Sequence, residues 1–211
     1  MEILLATGNE GKVSEIKFIL ADFLKFHTIK AINPSIKITG DHVLVSLGDI
    51  LKDGFSHLEM PEETGKTYTE NSELKAVALA KATSMITIAD DSGLEVFALD
   101  GRPGLYSSRY GNTDSDRIQR LLSELEGRLP APARFVCVAT LATPDGKVHS
   151  FEGVVEGDIV SSCSGASGFG FDPVFKVKDR NSTMAQLAAE EKNKISHRAV
   201  AFQKLFAHLF S

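Results

Sequence analysis

The opening of the chain, Ile3 to Lys12, limits what it can fold into more than any other stretch. Ile3 to Ala6 is a short apolar run that reads as a strand and stops in a Thr7-Gly8-Asn9 turn. Val13, Ile16, Leu20 and Phe23 then recur at helical spacing. A strand, a glycine turn and a helix in that order open an α/β fold. The same arrangement aims backbone N–H groups and the positive end of a helix dipole at whatever lies over the turn. Thr7, Gly8, Asn9, Glu10, Gly11 and Lys12 therefore form a candidate anion site, with Lys12 adding a full charge. It is not a Walker A loop, because only two residues separate Gly8 from Gly11 and no Ser or Thr follows Lys12. An ordinary strand-to-helix turn has the same appearance.

Further along, Thr67-x-x-Glu70 has the form of a capping box opening a helix through Leu74, Val77, Ala78 and Lys81. Ile86 to Ala89 reads as a buried strand that stops in an Asp90-Asp91-Ser92-Gly93 turn, and Leu94, Val96 and Ala98 alternate along a second strand leaving it. Ile118, Leu121, Leu122 and Leu125 mark a helix that Gly127 stops. Arg134 to Thr143 is β-rich, and Pro144-Asp145-Gly146 is a hairpin turn into Val148. A helix is expected to start at Thr183 with Gln186 as its capping partner, and a last one carries Phe202, Leu205, Phe206 and Leu209. Residues 30–65 mix apolar runs with Pro and Gly, and strands can be placed there only weakly.

With 211 residues, no repeats and no linker, the chain reads as a single domain over 1–211. A chain of that length can bury a sizeable core without disulfides or structural metals. Its net charge of −5 disfavours non-specific binding to nucleic acid or to an anionic membrane. No apolar run approaches the roughly 18 residues of a membrane span, and the amino terminus reads as a strand, not a signal peptide. Cys137 and Cys163 have no metal-ligand spacing and make no disulfide framework. Two reduced thiols in a cytoplasmic protein are the expectation.

Four more segments carry chemistry. Asp90 and Asp91 end an apolar strand, where ligands of open α/β sheets gather, and a hard cation such as Mg²⁺ would relieve the repulsion between them. An acidic turn that caps the next element explains them equally well. Glu62-Glu63 is a second acidic pair and Lys75 lies on the capped helix; each alone is ordinary surface. Gly165 to Asp172 places Phe169 and Phe171 among glycines, so the rings either stack on a flat base or plug the core, with the core the better reading of the residues alone. Glu191 to Arg198 gathers Lys192, Lys194, His197 and Arg198 before the last helix, where Arg198 offers a planar donor fork, although such a run is more commonly a solvated charged face. An anion turn, a hard-metal acidic site, an aromatic loop and a basic cluster together point to a Mg²⁺-dependent enzyme acting on a nucleoside polyphosphate.

The segments ATGNEGKVSEI, TENSELKA, IADDSGLEV, PGLYSSRYG, GFGFDPVF and EEKNKISHR, in that order, resemble the inosine triphosphate pyrophosphatases, also called dITP/XTP pyrophosphatases, from Leu4 to Phe206. The resemblance implies a long mixed β-sheet flanked by helices, two lobes with the active site in the cleft between, and a homodimer. It implies hydrolysis of deaminated purine nucleoside triphosphates at the α–β bond, giving the monophosphate and pyrophosphate. By motif, Thr7 to Lys12 would hold the triphosphate and Lys75 would neutralise phosphate charge. Glu63 and Asp91 would hold Mg²⁺, Asp91 would also be the base for the attacking water, and Asp90 would assist. Ser92 would touch the substrate, Phe169 and Phe171 would flank the base across Gly170, and Asp172 would bond near its edge. Lys192, His197 and Arg198 would recognise the base, preferring a 6-keto oxygen over the amino group of adenine. Phe171 stands where the family usually has Tyr or Trp, and Ala166-Ser167-Gly168 replaces the start of its usual TGGFG loop. Residues 34–60 look longer than the usual connection. Two competing readings are a pyrophosphatase for modified pyrimidine nucleotides and a nucleotide-sensing module without turnover.

Overall fold

A computed structural model describes residues 2–26, 44–52 and 54–211. The hydrogen-bonded strands β1 (Ile3–Leu5), β2 (Leu44–Ser46), β3 (Ile86–Val96), β4 (Ala131–Ala142), β5 (Val148–Ile159) and β6 (Phe175–Val177) form one mixed sheet in the order β2-β1-β3-β4-β5-β6. Helices α1 (Glu10–Phe26), α2 (Leu47–Lys52), α3 (Tyr68–Thr83), α4 (Asp114–Glu124), α5 (Ala189–Ile195) and α6 (His197–Leu209) flank it. β1 runs parallel to both β2 and β3, and β6 runs antiparallel to β5. Of the stretch 34–60 expected to be long, residues 34–43 and 53 lie outside the described residues.

The chain divides into two compact units, neither of them one continuous stretch. The first comprises Met1–Asp91, Val138–Glu152 and Ala199–Ser211. Its core gathers Leu4, Ala6, Leu47, Ile50, Leu79 and Ala89, and Phe23 lies 6.0 Å from Phe206, ring to ring. The second unit comprises Ser92–Cys137 and Gly153–Arg198. Its core packs Leu94, Val96, Leu121, Phe135, Phe171 and Phe175.

Several elements follow their sequence signals closely. Thr67 caps α3, its hydroxyl accepting the Glu70 N–H at 3.1 Å. Gly146 takes φ +91° in the 143–147 turn, where its N–H donates to the Thr143 carbonyl at 2.9 Å. Four expectations are corrected. Ile86 to Val96 is one eleven-residue strand, so Asp90 and Asp91 lie in mid-strand and not in a turn. The pairing with β1 ends at Ile88, and β3 runs on past it with β4 as its other neighbour in the sheet, which keeps these turn-prone residues extended. α3 buries Asn71, Ser72, Lys75, Ala76, Leu79 and Ala80, and the stripe expected to face inward leaves Leu74 and Lys81 exposed. Thr183 starts only a single 3₁₀ turn, Met184–Gln186, and the helix proper begins at Ala189. Finally, Ser46–Leu47 joins β2 directly to α2, within a stretch where only strands had been placed.

Candidate active site

The register of two parallel strands brings the first part of the site together. Leu5 pairs with Ile88, and the Ala6 N–H donates to the Ile88 carbonyl at 2.8 Å. Just past that point Thr7 leaves the sheet for the turn, while β3 continues to Asp90. Asn9 caps α1 by accepting the Lys12 N–H at 3.1 Å, and its own N–H donates to the Thr7 hydroxyl at 3.2 Å. Lys12 then extends over the turn to pair with Asp90, Nζ to Oδ2 at 2.8 Å. The lysine expected to meet phosphate is thus held by a buried carboxylate. Gly8 has no positive φ, and a Cβ there would meet nothing within 4 Å. Neither packing nor backbone conformation demands that glycine, whose absent side chain leaves the turn open from above.

Successive side chains of a strand point to opposite faces, which sends Asp91 away from Asp90. Asn71 and Lys75, one turn apart on α3, meet it there. Asn71 Nδ2 donates to Asp91 Oδ2 at 3.1 Å, while its Oδ1 accepts the Gly65 N–H at 2.8 Å. One buried amide therefore ties the 62–65 loop to β3. Gly65 permits this approach, because a Cβ there would overlap Asn71 and Glu70. Lys75 Nζ lies 2.7 Å from Glu63 Oε1, 2.7 Å from the Asp90 carbonyl and 4.0 Å from Asp91 Oδ1. Glu62 is exposed and Glu63 is half-buried on Lys75, so Glu63 is the member of the pair that joins the cluster. Burial pushes the Asp91 carboxyl above the ordinary aspartate range; the Lys75 charge and the Asn71 hydrogen bond pull the other way without reversing it. Sequence reasoning missed Asn71. Its signal was an asparagine inside a helix, where propensity disfavours it, four residues before Lys75.

Glu63 and Asp91 offer only oxygen donors and lie on either side of one ammonium. Mg²⁺ commonly uses one or two protein carboxylates and completes its shell with phosphate oxygens and water, so the pair fits that ion. Among the described residues no group of three or more His, Cys, Asp and Glu stands ready to hold a metal.

The second unit carries the aromatic loop. Gly165, Gly168 and Gly170 take φ of +85°, +81° and +63°. Phe169 is half-buried, with Lys192 Nζ 4.9 Å and Arg198 Cζ 5.6 Å from its ring centroid. Two cations close to one aromatic ring make it a platform suited to a flat, electron-rich group. Phe171 departs from the expectation that both rings flank a ligand: it is 3% exposed and packs edge-on against Tyr110, 6.4 Å between centroids. Asp172 is also buried, accepting from Lys192 Nζ at 2.6 Å and from the Phe169 N–H at 3.0 Å through Oδ2. A Cβ on Gly168 would collide with that carboxylate. Arg198 is 2% exposed and donates to the Ser92 hydroxyl at 3.0 Å, while His197 stacks on Phe135 with centroids 4.8 Å apart. Lys192, Asp172, Phe169, Arg198 and Ser92 are thus linked by direct contacts, and His197 faces the core.

An α/β chain with such a turn, carboxylate pair and cation-lined ring is of the class that handles phosphate-bearing ligands. It belongs to the Ham1 family, which is matched over residues 3–208. A protein of Elusimicrobium minutum named dITP/XTP pyrophosphatase is 45% identical, over 97% of this chain and 98% of its own. One of Synechocystis with the same name is 42% identical over 96% and 92%. The solved structure of the Staphylococcus aureus Ham1 protein superposes with a TM-score of 0.79 at 38% identity, covering 99% of this chain and 98% of that one.

Proposed function

We propose that the protein hydrolyses non-standard purine nucleoside triphosphates (ITP, dITP and XTP) at the α–β phosphate bond, giving the monophosphate and pyrophosphate. The names of relatives more than 40% identical support the activity and the substrate class. The observation that carries the chemistry is the Glu63–Lys75–Asp91–Asn71 cluster, in which a buried carboxylate of raised pKa is held beside a buried ammonium.

In this reading the Thr7 to Lys12 turn binds the triphosphate, and Lys12 exchanges part of its contact with Asp90 for a phosphate oxygen. Glu63 and Asp91 hold Mg²⁺, which when bound neutralises charge on the phosphate oxygens. Asp91, its proton affinity raised by burial, acts as the ionised carboxylate and takes a proton from water as the water oxygen bonds to phosphorus at the α–β bridge. The bridging P–O bond breaks, and pyrophosphate departs with its charge balanced by Lys75 and Lys12. Phe169 stacks on the base. Arg198, Lys192 and Ser92 provide donors toward a 6-keto oxygen, and Asp172 keeps Lys192 in place. Adenine would set its amino group against those donors, and a buried polar group left unpaired costs about 1–3 kcal/mol. A cytoplasmic homodimer belongs to the same reading, supported by the family resemblance. Among the described residues no helix is long and apolar enough to cross a membrane.

A substrate panel tests the reading. With Mg²⁺ present, kcat/KM for ITP, dITP and XTP should exceed that for ATP by at least about tenfold, the scale of one unpaired polar group. Equal turnover of all nucleotides, or a preference for pyrimidines, would overturn it.

A further inference from the structure

Asp114 has no place in the reaction, yet it grips the aromatic loop. It is the first residue of α4, after the N-cap Thr113. Its two carboxylate oxygens are divided between a local and a distant partner. Oδ1 accepts from Arg117 at 2.5 Å, one turn along the same helix, and Arg117 is itself fixed by donating to the Gly111 carbonyl at 3.2 Å. Oδ2 accepts the N–H of Gly170, 56 residues away, at 2.7 Å. Gly170 follows Phe169 directly and takes a positive φ, while the N–H of Phe169 is held by Asp172. Two successive N–H groups are therefore bound by two carboxylates, one buried and one on a helix terminus. Together they fix both peptide planes around Phe169 and with them the direction of its ring. A Cβ on Gly170 would meet nothing within 4 Å, so packing around that residue does not fix the loop there.

We propose that Asp114 is a positioning residue for base selectivity, holding the Phe169–Gly170 peptide so that the Phe169 ring lies flat beneath Lys192 and Arg198. This rests on the reading of Phe169 as the platform for the base. A charge-assisted hydrogen bond to a backbone N–H is short and directional, and releasing it lets the 168–170 segment rotate about its glycines. The cost falls on base recognition and not on the phosphates, which no part of this loop touches in the proposed reaction.

The test compares wild type with Asp114→Ala and Asp114→Asn on the full chain, in two measurements. Hydrogen exchange of the 167–172 peptide, followed by mass spectrometry without nucleotide, should be faster in Asp114→Ala by about tenfold, equivalent to ~1.4 kcal/mol. Asparagine keeps an acceptor for the Gly170 N–H, and Asp114→Asn should recover most of that protection. In steady-state kinetics Asp114→Ala should raise KM for ITP by about tenfold, lower the ITP-to-ATP ratio of kcat/KM by a similar factor, and leave inhibition by free triphosphate unchanged. Unchanged exchange and an unchanged ITP-to-ATP ratio would overturn the role for Asp114. So would a loss shared equally by ITP, ATP and free triphosphate, or one that asparagine does not repair. If wild type itself fails to turn over ITP, the pyrophosphatase reading falls and the selectivity role falls with it, a result distinct from a normal wild type beside an unaffected variant.

Discussion

Lys192→Met separates a buried ion pair from a surface one of the same length. Lys192 and Asp172 meet at 2.6 Å with side chains only 9% and 5% exposed, while Lys178 and Glu156 meet at the same 2.6 Å with 62% and 58% exposed. Methionine keeps most of the volume of Lys192 and removes its charge, which leaves the Asp172 carboxylate buried without that ammonium partner. Stranding one member of a buried pair costs about 3–5 kcal/mol, because the remaining charge keeps its desolvation penalty and loses its compensation. For a chain of this size 1 kcal/mol moves the melting temperature by roughly 2–4 °C, so Lys192→Met should melt roughly 6–20 °C lower in thermal unfolding followed by circular dichroism. Glu156→Gln, breaking the exposed pair, should leave the curve where it is. Replacing both partners, with Asp172→Asn added to Lys192→Met, should return much of the loss, because neither member of the pair is then left as a stranded buried charge. A Lys192→Met curve that overlays that of Glu156→Gln would refute the claim that burial decides, and with it the preformed cation–carboxylate pair beside Phe169.

Other expectations follow from single features of the site. Gly8→Ala should leave thermal stability unchanged, because a methyl group there meets open space, yet raise KM for every triphosphate by about tenfold by crowding the anion turn; a normal KM would place the phosphates elsewhere. Asp91→Asn should abolish turnover while nucleotide binding survives, as calorimetry would show. With a chelator present that variant should also be more stable than wild type at neutral pH. The folded pKa of Asp91 is raised, so its stabilising form is the protonated one, fully present below the unfolded value of about 4 and lost as pH rises through the folded one. The advantage of Asp91→Asn should therefore vanish in acid, and an advantage that grew as pH fell would contradict the desolvation argument. Arg198→Ala should reduce the ITP-to-ATP ratio more than it reduces triphosphate affinity; a uniform loss across nucleotides would put Arg198 on the phosphates instead.

The parts of this protein that sequence reveals are those set by local physics. The Thr7 to Lys12 turn is legible because an apolar run, two glycines and a helical stripe follow in order, and Thr67 because a cap hydroxyl needs only its own helix. Asp90 and Asp91 are legible as a pair but not as mid-strand residues, since their local preference is for turns and β4, the neighbouring strand beyond the end of β1, is distant in sequence. The inward face of α3 was misread for a related reason. Leu74, one of its apolar positions, is exposed, while the polar Asn71 and Lys75 are buried because they serve Asp91 and the Glu63 loop. Phe169 and Phe171 are two residues apart with the same side chain, yet one lies under two cations and the other in the core, a difference made by the positive φ at Gly168 and Gly170. Contacts such as Lys12 with Asp90 and Asp114 with Gly170 join residues more than fifty positions apart, and only the fold brings them together.

The most direct test of the central claim is to follow the products of ITP hydrolysis by ³¹P nuclear magnetic resonance in the presence of Mg²⁺. Cleavage at the α–β bond gives IMP and pyrophosphate in equal amounts, with no inorganic phosphate released at early times. The appearance of IDP and inorganic phosphate would place the attack at the γ-phosphate and contradict the assignment of the Asp91–Lys75 cluster to the α–β bridge.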